Sequence, residues 1–262
     1  MSRTLIVLTV MLCSCAGADK SKNDSSFNVI GFFTARNDRA HISFVRDANK
    51  WFYKQGTQSG FTYDSTNDWR NLNEESLKRY DLVVFLDTRP DTPAHRMAFE
   101  QYMKNGGAWM GFHFAGFALD DSDFPQDWDW YHDDFLGSGE FRSNTWRPTS
   151  AVLRVENPSH DVTKNLPDTF RTAPSEWYRW QNDLRQNKDI AILASIDSSS
   201  FPLGTGPKPD EIWHSGYYPV VWTNKNYRML YLNMGHDDID YEGGTNGQLS
   251  SSFASEAQNQ LI

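Results

Sequence analysis

The run DLVVFLD at 81–87 narrows the choice of fold more than any other segment. Leu82, Val83, Val84, Phe85 and Leu86 are apolar without alternation, so a strand made from them is buried on both faces. Strands of that kind belong to parallel sheets packed between helices. The neighbouring segments agree. Thr92-Pro93 supplies a helix cap and a first-turn proline. Asn105-Gly106-Gly107 stops that helix, and AWMGFH at 108–113 supplies the next strand. Upstream, NVIGFFT at 28–34 reads as another buried strand. His41, Phe44, Val45, Ala48, Trp51 and Phe52 recur at helical spacing, which predicts an amphipathic helix over 38–54. A weak strand at 61–64 and a short helix at 73–80, with Glu74 and Glu75 in its first turn, complete the alternation. The expected fold is α/β: an open, mostly parallel sheet with helices on both faces.

The second half is less regular. Residues 127–136 read as helical, 150–156 as a half-exposed strand, and 176–180 and 190–196 as strands. Residues 198–210 read as a Ser/Gly/Pro-rich loop. Residues 219–223 and 228–234 form a hairpin pair around Asn224-Lys225-Asn226, and a helix starts within 249–262. With no internal repeat and no linker, 27–262 reads as one domain.

The N-terminal residues carry an address. Arg3 precedes an apolar run, Leu5 to Leu12, too short to span a bilayer. Leu12-Cys13-Ser14-Cys15 then resembles a bacterial lipobox. This implies a signal peptide over 1–15 with lipidation at Cys15, or else an ordinary secretory signal. A flexible polar tether follows at 16–26. The expected location is the bacterial cell envelope, with membrane contact through the lipid anchor.

Both cysteines of the chain are Cys13 and Cys15, so residues beyond them contain no thiol. A cysteine nucleophile and a thiolate metal site in the folded domain are excluded. The net charge of −9 and the lack of a basic block argue against nucleic acid as a partner. No glycine follows the first strand in Thr34-Ala35-Arg36-Asn37-Asp38, which disfavours nucleotide binding. The acidic run from Asp120 to Asp134 lacks the spacing of a calcium loop and reads as solvated. Ten tryptophans imply an aromatic core, or rings lining a sugar cleft.

In parallel sheets, ligands bind at the carboxyl ends of the strands. His113 is at such an end, at the centre of the tight turn Gly111-Phe112-His113-Phe114-Ala115. Hydrolases place a nucleophile at this position. Thr34 and Asp87 end two other strands. His236, after RMLYLNM, occupies the end of a fourth if that strand joins the same sheet. Glu176, in Ser175-Glu176-Trp177-Tyr178, is the third candidate. Two imidazoles and a carboxylate suit general acid–base work or a divalent metal such as zinc or manganese. Each histidine is equally suited to a structural hydrogen bond. His41 opens the first helix, where it either faces this cleft or serves as a polar first-turn group. His95 and His132 read as solvated, His160 as a turn cap, and His214 is ambiguous.

Seven ordered pieces carry a family resemblance: YDLVVFLDT (80–88), FEQYMKNGGAWMGFH (99–113), WYHDDFLGSGEF (130–141), VENPSHDVTKNLP (155–167), SEWY (175–178), PVVW (219–222) and RMLYLNMGHD (228–237). Together they resemble the ThuA-like family, named for trehalose utilisation. That family is similar to class I glutamine amidotransferases in fold: a flavodoxin-like sheet with an elbow after a central strand. In those enzymes the elbow holds a cysteine, and a late histidine precedes an acidic residue by two positions. Here His113 replaces the cysteine, while His236 with Asp238 echoes the late pair. The resemblance implies carbohydrate breakdown, on a simple sugar or one oxidised to a 3-keto form. If the protein is an enzyme on such a sugar, His113 or Glu176 is the expected general base and His236 the acid, or the three hold a metal. His41, Trp177 and Asp237 become substrate contacts, with Trp177 stacking on the sugar ring. The alternative is a non-catalytic sugar-binding lipoprotein working beside partner enzymes. Relatives carry a histidine around 143–146 that this chain lacks.

Overall fold

The buried runs pair side by side. In the computed structural model, β1 (Phe27–Phe32), α1 (Arg39–Ser59), β2 (Phe61–Thr66), α2 (Glu74–Leu77), β3 (Leu82–Phe85), α3 (Pro93–Lys104) and β4 (Ala108–Phe112) follow in order. They are followed by β5 (Phe141–Asn144), β6 (Val152–Val155), β7 (Thr169–Arg171), β8 (Tyr178–Trp180), β9 (Ile190–Ile196), β10 (Tyr218–Asn224), β11 (Arg228–Leu232), β12 (Asp238–Ile239), β13 (Gln248–Ser250) and α4 (Glu256–Asn259). The structure describes residues 27–36, 38–119, 128–145, 147–201 and 216–262. The N-terminal signal with Cys15, the tether at 16–26, the acidic stretch 120–127 and His214 lie outside these residues. No helix among the described residues is long and apolar enough to cross a membrane.

One nine-stranded sheet runs β2-β1-β3-β4-β11-β10-β9-β6-β7. From β2 to β11 neighbouring strands are parallel. Beyond β11 the pairings turn antiparallel. The parallel sheet expected from the first half is therefore extended by an antiparallel half built from the less regular sequence. The predicted hairpin is β10–β11, with Val221 opposite Leu232. β11 performs the joining step, because its other edge pairs in parallel with β4, Leu232 beside Phe112.

The two faces bury different side chains, as strand alternation requires. On one face Val29, Val84 and Phe112 pack against Phe44, Val45, Ala48 and Phe52 of α1. On the other, Ile30, Val83, Phe85 and Trp109 pack against Phe99 and Met103 of α3. Gly111 is required on this second face: a Cβ there would lie 2.0 Å from the Trp109 ring.

Boundaries moved for identifiable reasons. α1 runs to Ser59, past the predicted 54, because the stop is Gly60 in the left-handed region (φ 80). Apart from the buried Gly56, its last turns are exposed or half-buried and carry no apolar stripe. The helix predicted over 127–136 is instead a π-helical turn, Trp130–Phe135. Such wide turns recur at functional sites. The C-terminal helix is only α4, capped by Ser255. The Gln258 carboxamide follows it inward, donating to Ser252 O at 2.6 Å and accepting from Ala173 N at 3.2 Å.

Candidate active site

His113 is the first residue after β4, and its backbone lies in the left-handed region at φ 40. Non-glycine residues adopt this conformation at a cost, and such strain clusters at functional turns. The imidazole is fully buried. His236 reaches the same place from β11. Because Leu232 pairs with Phe112, the chain leaving β11 runs beside the elbow. Gly235 (φ 141) makes this approach possible: a Cβ there would lie 3.1 Å from the Cβ of His113 and 3.2 Å from that of Phe112. His41 comes down from the first turn of α1, whose N-cap Asp38 accepts from Ala40 N at 2.7 Å. The three imidazoles form a triangle. Ring centroids are 5.3 Å apart for His41 and His113, 5.1 Å for His41 and His236, and 5.5 Å for His113 and His236.

Glu176 closes the cluster. Its Oε2 lies 3.5 Å from His113 Nε2, and its Oε1 accepts from Asn144 Nδ2 at 2.6 Å. Glu176 is presented by the segment leading into β8, which is fastened on both sides. Asn233 exchanges two hydrogen bonds with the Tyr178 backbone, 3.3 and 3.0 Å. Thr145 Oγ1 accepts from Trp177 N at 2.9 Å, and Thr145 N donates to Trp177 O at 3.0 Å. The Tyr178 ring lies against His113, centroids 4.0 Å apart.

Burial disfavours the charged form of His113 and His236. It drives the His113 pKa well below the ordinary value, and the charge of His41 adds to the effect. Burial likewise pushes His236 down to about 3, although the nearby Glu176 carboxylate opposes it. For Asp38, burial acts upward but is outweighed by His41, His236, the Ala40 N–H and the Tyr241 hydroxyl, so its pKa is lowered. A neutral imidazole beside a carboxylate can donate a hydrogen bond or accept a proton, which is acid–base equipment.

His113, Glu176, His236 and His41 thus share one site. Two other candidates do not take their expected roles. Trp177 is fully buried, its Nε1 donating to Thr149 O at 2.7 Å, so it forms part of the core and has no face to offer a sugar. Tyr178, one residue on, holds the place at His113. Asp237 is also fully buried, and accepts from Ser252 N (2.7 Å), Ser252 Oγ (2.9 Å) and Gln248 Nε2 (2.9 Å). It ties down the C-terminal segment rather than contacting a ligand. Asp238 sits in β12 opposite Ser250; the carboxylates acting on His236 are Glu176 and Asp38.

Asp87 accepts from Thr34 N, Thr34 Oγ1 and Ala35 N at 2.7, 3.1 and 2.6 Å, so it shapes the turn after β1. His132 is not solvated: it is buried within the π-helical turn, and burial with the Arg89 charge pushes it down to about 3. His95 is half-buried rather than solvated. His160 caps a turn as expected, its Nδ1 accepting from Val162 N at 3.2 Å. The sequence reading missed Asp38, Asn144, Tyr178 and Asn233. Only Asp38 carried a local signal, as a helix cap.

Among the described residues, no three His, Cys, Asp or Glu side chains are set to hold one metal ion. Zinc or manganese bound by His113, Glu176 and His236 would therefore require those side chains to move.

An α/β sheet with a strained elbow after a central strand, met by a late histidine, defines a protein of the glutamine amidotransferase-like fold. The chain belongs to the ThuA family, described as trehalose utilisation, whose pattern matches residues 30–248. A ThuA-like protein of Bacteroides uniformis is similar at 40% identity over 90% of this chain and 87% of its own, with a TM-score of 0.77. Another from Parabacteroides merdae shares the fold at 19% identity over 90% of this chain and 87% of its own, TM-score 0.62. None of the curated proteins compared matches the chain. Membership of the family suggests a role in carbohydrate utilisation.

Proposed function

We propose that this protein is an enzyme acting on a simple or 3-keto sugar by acid–base chemistry, without a covalent nucleophile. The observation that carries the reading is the 3.5 Å approach of Glu176 Oε2 to His113 Nε2 inside a triangle of buried imidazoles. A keto group acidifies the neighbouring C–H. Glu176 removes that proton as general base, and the electron pair moves onto the keto oxygen. A neutral His113 or His236 stabilises the resulting enolate by donating an N–H. The enolate then either expels a substituent from the β-carbon, which takes up the proton held by Glu176 (elimination), or accepts the proton of the neighbouring hydroxyl on its oxygen to give an enediolate, which Glu176 reprotonates at the former carbonyl carbon (isomerisation). Amide hydrolysis through a thioester is unavailable, because the elbow carries an imidazole in place of a thiol.

The lipobox-like Leu12-Cys13-Ser14-Cys15 supports placing the enzyme at the bacterial cell envelope through an acylated Cys15. The test is incubation of the domain with 3-keto-glucosides, with added metal or chelator, for the wild type and for His113→Ala and Glu176→Ala. Turnover lost in both variants supports the reading. Sugar binding without turnover, unchanged in His113→Ala, overturns it in favour of a non-catalytic sugar-binding lipoprotein.

A further inference from the structure

The elbow that carries His113 is strained, and its backbone carbonyls are directed into the core beneath the imidazole cluster. Buried carbonyls need partners. Tyr231, in β11, donates its hydroxyl to His113 O at 2.6 Å. Tyr131, in the π-helical turn, donates its hydroxyl to Ala115 O at 2.9 Å. Both tyrosines are fully buried. The Tyr231 ring also lies close under the turn: a Cβ at Gly116 would come within 2.7 Å of it. Trp222 packs against the same ring, centroids 4.3 Å apart. β4 and β11 are in register, with Tyr231 opposite Gly111, so the hydroxyl is delivered to the strained peptide from the adjacent strand.

We infer that Tyr231 is a positioning residue for His113. Its hydroxyl holds the elbow peptide in the left-handed conformation that turns the imidazole towards Glu176, and Tyr131 secures the following carbonyl. This explains why a π-helical turn packs beneath the elbow: the turn delivers a phenol to Ala115 O. The catalytic consequence rests on the acid–base reading above. The structural consequence does not, and the two can be measured apart.

The experiment compares wild type, Tyr231→Phe, His113→Gly and the double variant His113→Gly/Tyr231→Phe. Histidine side-chain NMR with ¹⁵N labelling, assigned through His113→Ala, reports the His113 ring independently of any activity. The expected result for Tyr231→Phe is a shifted or broadened His113 ring signal. With a 3-keto-glucoside, kcat falls about tenfold or more at little-changed KM, because a small displacement of a reacting group is costly in rate. If Tyr231→Phe is too unstable for NMR, the double variant decides. Glycine adopts a positive φ freely, so loss of the hydroxyl should lower Tm less in the His113→Gly background than in the wild type. An unmoved His113 signal in folded Tyr231→Phe, or an equal Tm loss in both backgrounds, overturns the assignment. Should the wild type turn over no 3-keto-glucoside, the function proposal fails while the NMR and Tm outcomes still decide the role of Tyr231.

Discussion

Phe112 and Leu232 lie opposite each other in neighbouring parallel strands, and that pairing brings His113 and His236 to one site. His113 follows its strand directly and His236 follows within a few residues, so side-by-side strand ends place both imidazoles at the carboxyl edge of the sheet. α1 then lowers His41 onto the pair, and the β5–β8 ribbon brings in Glu176.

Gly235 is the point of closest approach between the two strand ends. Replacing it with alanine meets both the positive φ of 141 and the Cβ atoms of His113 and Phe112. The expected cost is about 1–3 kcal/mol, read by urea denaturation. The His113 environment should change with it. Wild-type stability in Gly235→Ala would show that the strand ends are not packed this tightly.

Glu176→Gln retains a carbonyl oxygen for Asn144 Nδ2 but removes the base. Turnover of a 3-keto-glucoside should fall about 100-fold or more, with the denaturation midpoint nearly unchanged. Steady-state kinetics beside a urea titration separates the two effects. Retained activity would move the role of base to another group.

His236 carries a pH signature. Its pKa in the folded protein is about 3, against an ordinary value of 6.5. The unfolded chain therefore binds a proton that the folded chain refuses. The contribution of this neutral imidazole is fully present above pH 6.5 and is lost as pH falls towards 3. His236→Asn should show a flatter decline of unfolding free energy across that window than the wild type. Parallel curves would indicate that His236 titrates normally.

Trp177 and Tyr178 separate packing from ligand contact. Trp177→Phe loses the indole bond to Thr149 O and some core volume, at an expected cost of about 1–3 kcal/mol. Sugar affinity, measured by calorimetry, should be unaffected. Tyr178→Ala should instead change affinity or turnover, since its ring lies on His113. Weakened sugar binding in Trp177→Phe with full stability would restore the stacking role to Trp177.

Local pattern revealed the parallel half and the elbow because both are written in contiguous residues. An unbroken apolar run marks β3, a cap and a proline open α3, and two glycines close it. His113 was legible for the same reason, as the residue between a strand and a glycine-bounded turn. Trp177 misled because a buried indole and a ligand-stacking indole have the same local sequence. His132 misled because its acidic neighbours in sequence point outwards from a turn whose inner side is core. Asn233 and Asn144 gave no signal, since a carboxamide acquires its purpose only from the partner placed opposite it.

The order of residues by itself determined an alternating α/β chain, a domain without thiols, and an imidazole where related folds carry a nucleophile. These follow from side-chain period and chemistry, which act over a few residues. Tertiary structure alone decided that His41, His113, His236 and Glu176 meet, and that Trp177 and Asp237 do not join them. Those contacts depend on β4 pairing with β11 across more than a hundred residues, a choice made by the burial and registry of the whole sheet.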